Sequence, residues 1–150
     1  MRTLRPSSIC LTGALLLGLS APLHAAEPED LIKYRQSTMK SLGGHMSAIV
    51  AIMREQVDYR DHLTTHSEGL AATSQLVRDV FPPASARGET DAKQAIWDQP
   101  EKFAEAVQRL ETAAAGFRDA VANDGDTGEA LKALGSACKN CHDDFRVKRK

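Results

Sequence analysis

The sequence predicts an all-α fold, an antiparallel up-down-up-down bundle of four amphipathic helices. Three observations carry this. Apolar residues recur three and four apart along four separate segments, which is the helical period. No segment reads as a strand candidate. Alanine is abundant and β-branched runs are scarce, which favours helix over sheet. At 150 residues the chain has room for one domain.

Residues 1–25 read as a cleaved secretory signal. Arg2 and Arg5 give a basic start, "ICLTGALLLGLSA" a short apolar run, and small residues precede Ala26. The run is too short, and too soon followed by "EPED", for a membrane span. The expectation is an exported, periplasmic domain over 26–150 that neither enters a membrane nor binds nucleic acid. Losing two arginines and no acid makes a net charge of −1 more negative, the wrong sign for a nucleic-acid binder. Cys10 leaves with the signal, so Cys138 and Cys141 remain in an oxidising compartment.

The first helix is expected from Pro28 to Glu55. Pro28 suits a first turn, and Glu29 and Asp30 lie at the positive end of the helix dipole. Ile32, Arg35, Met39, Leu42, Met46, Ile49 and Met53 form its stripe. Gly43 and Gly44 interrupt it, as if a bulky group or another helix comes close there. The second helix is expected from Asp58 to Val80, with Leu63, His66, Leu70, Val77 and Val80 facing inward. "FPPASARGETDAKQ" is a long connection, after which "AIW" packs back on the core. The third helix opens at "DQPEKF", with Asp98 as N-cap and Glu101 three residues on. "NDGD" ends it, and Asp126 caps the fourth helix with Glu129 as partner.

"SACKNCHDDFR" is the run that carries chemistry. On a helix Cys138, Cys141 and His142 share one face and point at one object. Structural zinc needs four protein ligands, and reaching four means borrowing His62 and His66 while leaving His142 idle. A redox dithiol lowers its thiolate pKa at a helix N-terminus beside a strand, whereas this pair lies deep in a helix with no sheet in prospect. A c-type haem uses every residue: two thiols on two vinyl groups, and the adjacent histidine on iron. It also accounts for the low aromatic content of 5%, since a porphyrin supplies its own flat apolar core.

Three stretches together, "EDLIKYRQSTMKSLGGHM", "AIWDQPEKF" and "GSACKNCHDDFR", resemble the cytochrome c′ family of periplasmic four-helix-bundle cytochromes. The resemblance implies one covalent haem c on Cys138 and Cys141, with His142 as axial iron ligand. It implies Arg146 on the proximal side, Arg35 at a haem propionate and Met39 on the distal side. In members with an open site, iron is five-coordinate and takes small gases such as nitric oxide or carbon monoxide. In low-spin relatives of the c556 type, a methionine at the position of Met39 is the sixth ligand and closes the site. Arg35, four residues before Met39, resembles the open pattern. The resemblance also implies a homodimer through the first two helices; it names no redox partner protein. Met39, Leu42 and Gly43 offer no acid or base over the iron, so a carrier is expected rather than a peroxidase or nitric oxide reductase. His45, His62 and His66 are read as helix-surface or partly packed residues, and "RVKRK" as a solvated basic tail.

Overall fold

The computed structural model describes residues 26–148; the expected signal segment and Cys10 lie outside them. Five α-helices run in the order α1 (Pro28–Met53), α2 (His62–Ser74), α3 (Ala95–Asp98), α4 (Pro100–Ala122) and α5 (Thr127–Phe145). The four long ones form the antiparallel bundle, and the single-turn α3 sits in the long connection. Among the described residues there is no strand, only an isolated antiparallel bridge between Ala92 and Arg146. No described helix is long and apolar enough to cross a membrane.

α1 stops at Met53, two residues early, because Glu55 adopts a left-handed φ of 55°. Glu55 N–H then donates to Ile52 O and Gln56 N–H to Ala51 O, the paired bonds that satisfy the last carbonyls of a helix. α4 ends the same way. There the left-handed residue is Asp124 (φ 52°), not the neighbouring glycine, and Gly125 N–H donates to Ala120 O at 2.8 Å. Gly125 is needed for closeness: a Cβ on it would meet Ala120 Cα at 3.3 Å.

The second helix is shorter than its periodicity suggests. Residues 54–61 form turns, and α2 gives way at Gln75 to a 3₁₀ turn, Gln75–Arg78. Thr73 and Ser74 hydroxyls bond back to Gly69 O and Ala71 O, which competes with regular helix, and Pro82 and Pro83 forbid its continuation. The expected cap at Asp98 is not formed. Gln99 occupies the N-cap of α4 without a side-chain bond, while Asp98 closes α3 and accepts from Gln94 Nε2. The Asp126 cap is formed, its carboxylate accepting from Glu129 N–H at 2.9 Å. Replacing Asp126 by alanine is expected to cost about 1 kcal/mol, about 4 °C in Tm by thermal melt.

The core is built from Ile49 of α1, Leu70 and Ala71 of α2, Leu110, Ala114 and Phe117 of α4, and Leu134 and Phe145 of α5. Phe81 and Phe145 both meet Phe103 edge to face and seal the end of the bundle beneath the long connection. Gly43 and Gly44 are exposed, and no protein atom lies within 4 Å of a Cβ built on either, so no helix packs closely there.

Candidate functional site

Backbone packing runs α1 on α2, α2 on α4 and α4 on α5, while α1 and α5 make no comparable contact. The fourth edge of the bundle, α1 against α5, is therefore its loosest, a seam closed mainly by side chains. Its register is set by one contact: the Met46 methyl of α1 lies 3.9 Å from a Cβ built on Gly135 of α5. Met39 lies two turns before Met46, and His142 two turns after Gly135. α1 and α5 are antiparallel, so both steps run the same way, about 10 Å along the axis. By helical rise Met39 and His142 therefore lie at about the same level along the two helices.

α1 lines this seam with Met39, Leu42 and Met46, and α5 with Leu131 and Cys138; all five are half-buried and pack on the core. Cys141 is equally half-buried and packs on the core, within electrostatic reach of Arg109 of α4. Both cysteines are free thiols. Burial raises the pKa of Cys138, and raises that of Cys141 to about 11, with smaller contributions from Cys138 and Asp144. That is the opposite of an activated redox dithiol, whose thiolate is favoured.

His142 is exposed at the edge of the seam. Desolvation by its neighbours and the Arg146 cation both lower its pKa, which favours the neutral, ligating imidazole. Arg146 N–H donates to His142 O at 3.1 Å, and the backbone there is extended, paired with the 91–93 segment. Lys93 N–H donates to Phe145 O, and Lys93 Nζ reaches Asp143 O at 2.8 Å. The long connection thereby clips the end of α5 just beyond His142.

Arg35 is 2% exposed. Its Nη1 donates to Ser85 Oγ at 2.6 Å, and its Nη2 to Ser85 O at 3.2 Å and Thr90 Oγ1 at 2.9 Å. The guanidinium sits 4.9 Å from the Phe81 ring centroid and 5.9 Å from that of Trp97. These acceptors are neutral, and burial lowers its pKa. Ser85, Thr90 and Lys93 had no signal in the sequence, because their partners lie about fifty residues away.

The histidines of α2 do not join the cysteines. His62 is exposed and stacks on Tyr59, and His66 faces His45 of α1. Among the described residues no group of three or more histidine, cysteine or acidic side chains can hold a metal ion, so the four-ligand zinc alternative is not built.

The residues present fit a haem. They offer two adjacent thiols on an apolar face, a neutral imidazole beside them, and an edge of the bundle whose backbones stand apart.

Comparison with known proteins points the same way. The family model for cytochrome C′ matches residues 30–146. The chain is 36% identical over 124 residues to cytochrome c′ of Pararhodospirillum photometricum, covering 81% of this chain and 99% of that one. It is 36% identical over 132 residues to cytochrome c′ of Halomonas halodenitrificans, with the same two coverages. Among solved structures, a nitric oxide complex of a cytochrome c prime point variant from Alcaligenes xylosoxidans superposes with a TM-score of 0.75. It is 27% identical and covers 83% of this chain and all of its own. With its C-terminal CKNCH run on the helix where the fold places it, the chain belongs to the cytochrome c′ family and takes covalently attached haem c as its cofactor.

Proposed function

We propose that the chain is an exported, periplasmic monohaem cytochrome that binds small neutral gases at iron and passes single electrons, without turnover of its own. One observation carries this reading: the half-buried residues of α1 nearest the level of His142, Met39 and Leu42, pack on the apolar core, and neither can give or take a proton. Peroxide cleavage or nitric oxide reduction wants an acid or base at that place. The nitric oxide complex of the Alcaligenes relative supports gas binding.

In this reading Cys138 and Cys141 hold the cofactor through thioether bonds, and His142 is the axial ligand. Haem c bound there supplies one redox-active iron. The protein's own part is to position and to exclude. Met39, Leu42 and Met46 keep the seam apolar and restrict entry to small uncharged molecules. Arg35 and Arg146 supply positive charge. Arg35, desolvated among neutral acceptors, suits a propionate carboxylate, since a charged hydrogen bond is strongest out of water. A homodimer through α1 and α2 belongs to the same proposal; Tyr34 on α1 and Val57 and Tyr59 in the following turn are exposed there.

The second reading is that Met39 ligates iron, supported by its half-buried place on α1 near the level of His142. Absorption spectra of the oxidised and reduced protein, with and without nitric oxide or carbon monoxide, decide between them. A high-spin spectrum that shifts with gas is expected, and Met39→Leu should leave it high-spin. A low-spin spectrum indifferent to gas, made high-spin by Met39→Leu, assigns Met39 as sixth ligand and leaves an electron carrier only.

A further inference from the structure

The α1–α2 interface holds two imidazoles that the haem site does not use. His45 and His66 are both half-buried, and their Nδ1 atoms lie 3.2 Å apart. The ring centroids stand 5.5 Å apart, so the two nitrogens face each other. Gly69 on α2 makes the room: a Cβ there would stand 2.5 Å from His45 Cε1 and 2.7 Å from its Nε2. Glycine is a poor residue for a helix interior, and here its bare Cα is what admits the ring.

A separation of 3.2 Å is a hydrogen-bond length, and it is also close to the edge of a zinc tetrahedron. With Zn–N of about 2.0 Å, two ligand nitrogens lie about 3.3 Å apart. We propose that His45 and His66 form a site for a divalent transition-metal ion of the zinc class, bound through both Nδ1 atoms with water in the remaining positions. The rings are already aimed at one another from two different helices, so binding needs only a small turn of each. In the neutral pair one ring carries its proton on the facing Nδ1. The metal takes both Nδ1 lone pairs, and that proton moves through solvent to Nε2 of the same ring, so no proton is lost and both rings stay neutral. The ion ties α1 to α2 where the two helices meet.

The test is calorimetric titration of Zn²⁺ into the haem-loaded full chain, in which the thiols and His142 are already engaged. One saturable equivalent is expected. His45→Gln and His66→Gln should each abolish it. Gly69→Ala, which leaves both ligands in place but pushes the His45 ring aside, should weaken it and gives a second test should either glutamine variant fail to fold. His62→Gln should leave it unchanged, and circular dichroism confines the comparison to folded variants. Absence of saturable binding by the unaltered protein overturns the site. So does retention of binding in folded His45→Gln with loss in His62→Gln, which would place the ion on the exposed α2 pair instead.

Discussion

Cys138→Ser combined with Cys141→Ser is expected to reduce covalently bound haem to nothing. On a denaturing gel the unaltered protein should carry haem-dependent peroxidase stain, and the double variant none. The reasoning is chemical first. A serine hydroxyl at either position cannot form the thioether, and no other cysteine lies among the described residues. Burial raises both thiol pKa values, which disfavours the thiolate that a redox pair needs. A structural consequence follows. α1 and α5 meet mainly through side chains such as Met46, so a chain without its cofactor keeps an edge that backbone packing holds weakly. A tethered haem stays on the chain when it unfolds, but only the native bundle buries its apolar faces, and that burial adds to native stability. The double variant should therefore melt lower and more broadly, with α1 loosened first. Retained covalent haem would refute the attachment, and an unchanged melt would show that the seam closes without the cofactor.

How much of this was legible beforehand depends on whether the information was local. The α1, α4 and α5 stripes are local: Phe103, Val107, Leu110, Ala114 and Phe117 repeat at the helical period, and all five are buried. The Asp126 cap is local too, three residues from its donor. α2 was misjudged in length because the apolar spacing continues through Val77 and Val80 while Thr73 and Ser74 bond back onto the helix and the prolines end it. Periodicity does not register either effect. Asp98 has a capping residue's spelling, but the backbone turns at Gln99 instead. The cysteines and His142 were readable because they are three consecutive points on one helix face. The His45–His66 contact was not, since it depends on the relative register of two helices and on a glycine at position 69. Arg35 was singled out, but only folding brings Ser85 and Thr90 to it.

Arg35→Ala is expected to lower stability by about 2–4 kcal/mol, or about 10 °C in Tm, and to loosen the long connection over the end of the seam. Removing the guanidinium deletes three hydrogen bonds at once and leaves a void among Phe81 and Trp97. The acceptors are not equally exposed to the loss. Ser85 Oγ still donates to Pro82 O, and Thr90 Oγ1 still accepts from Ala92 N–H. Ser85 O, in the 3₁₀ turn Pro83–Ser85 that packs on α1, loses its charged donor outright. Loosening that turn propagates along the same connection to the 91–93 segment, which pairs with the chain at Phe145 to Val147, just beyond His142. Arg35→Met separates packing from charge, because it keeps most of the volume and removes the cation. Arg35→Met should recover only the packing part of the lost Tm, because a thioether restores none of the three hydrogen bonds; if Arg35 faces a propionate it should also lower the haem reduction potential, since removing a nearby cation favours the oxidised iron. If Arg35 is only a loop anchor, the potential should stay where it is in both variants, and the propionate role falls. The second outcome would also change how the seam is understood. The buried cation would then be a device for holding the connection down, and Arg146 alone would supply positive charge.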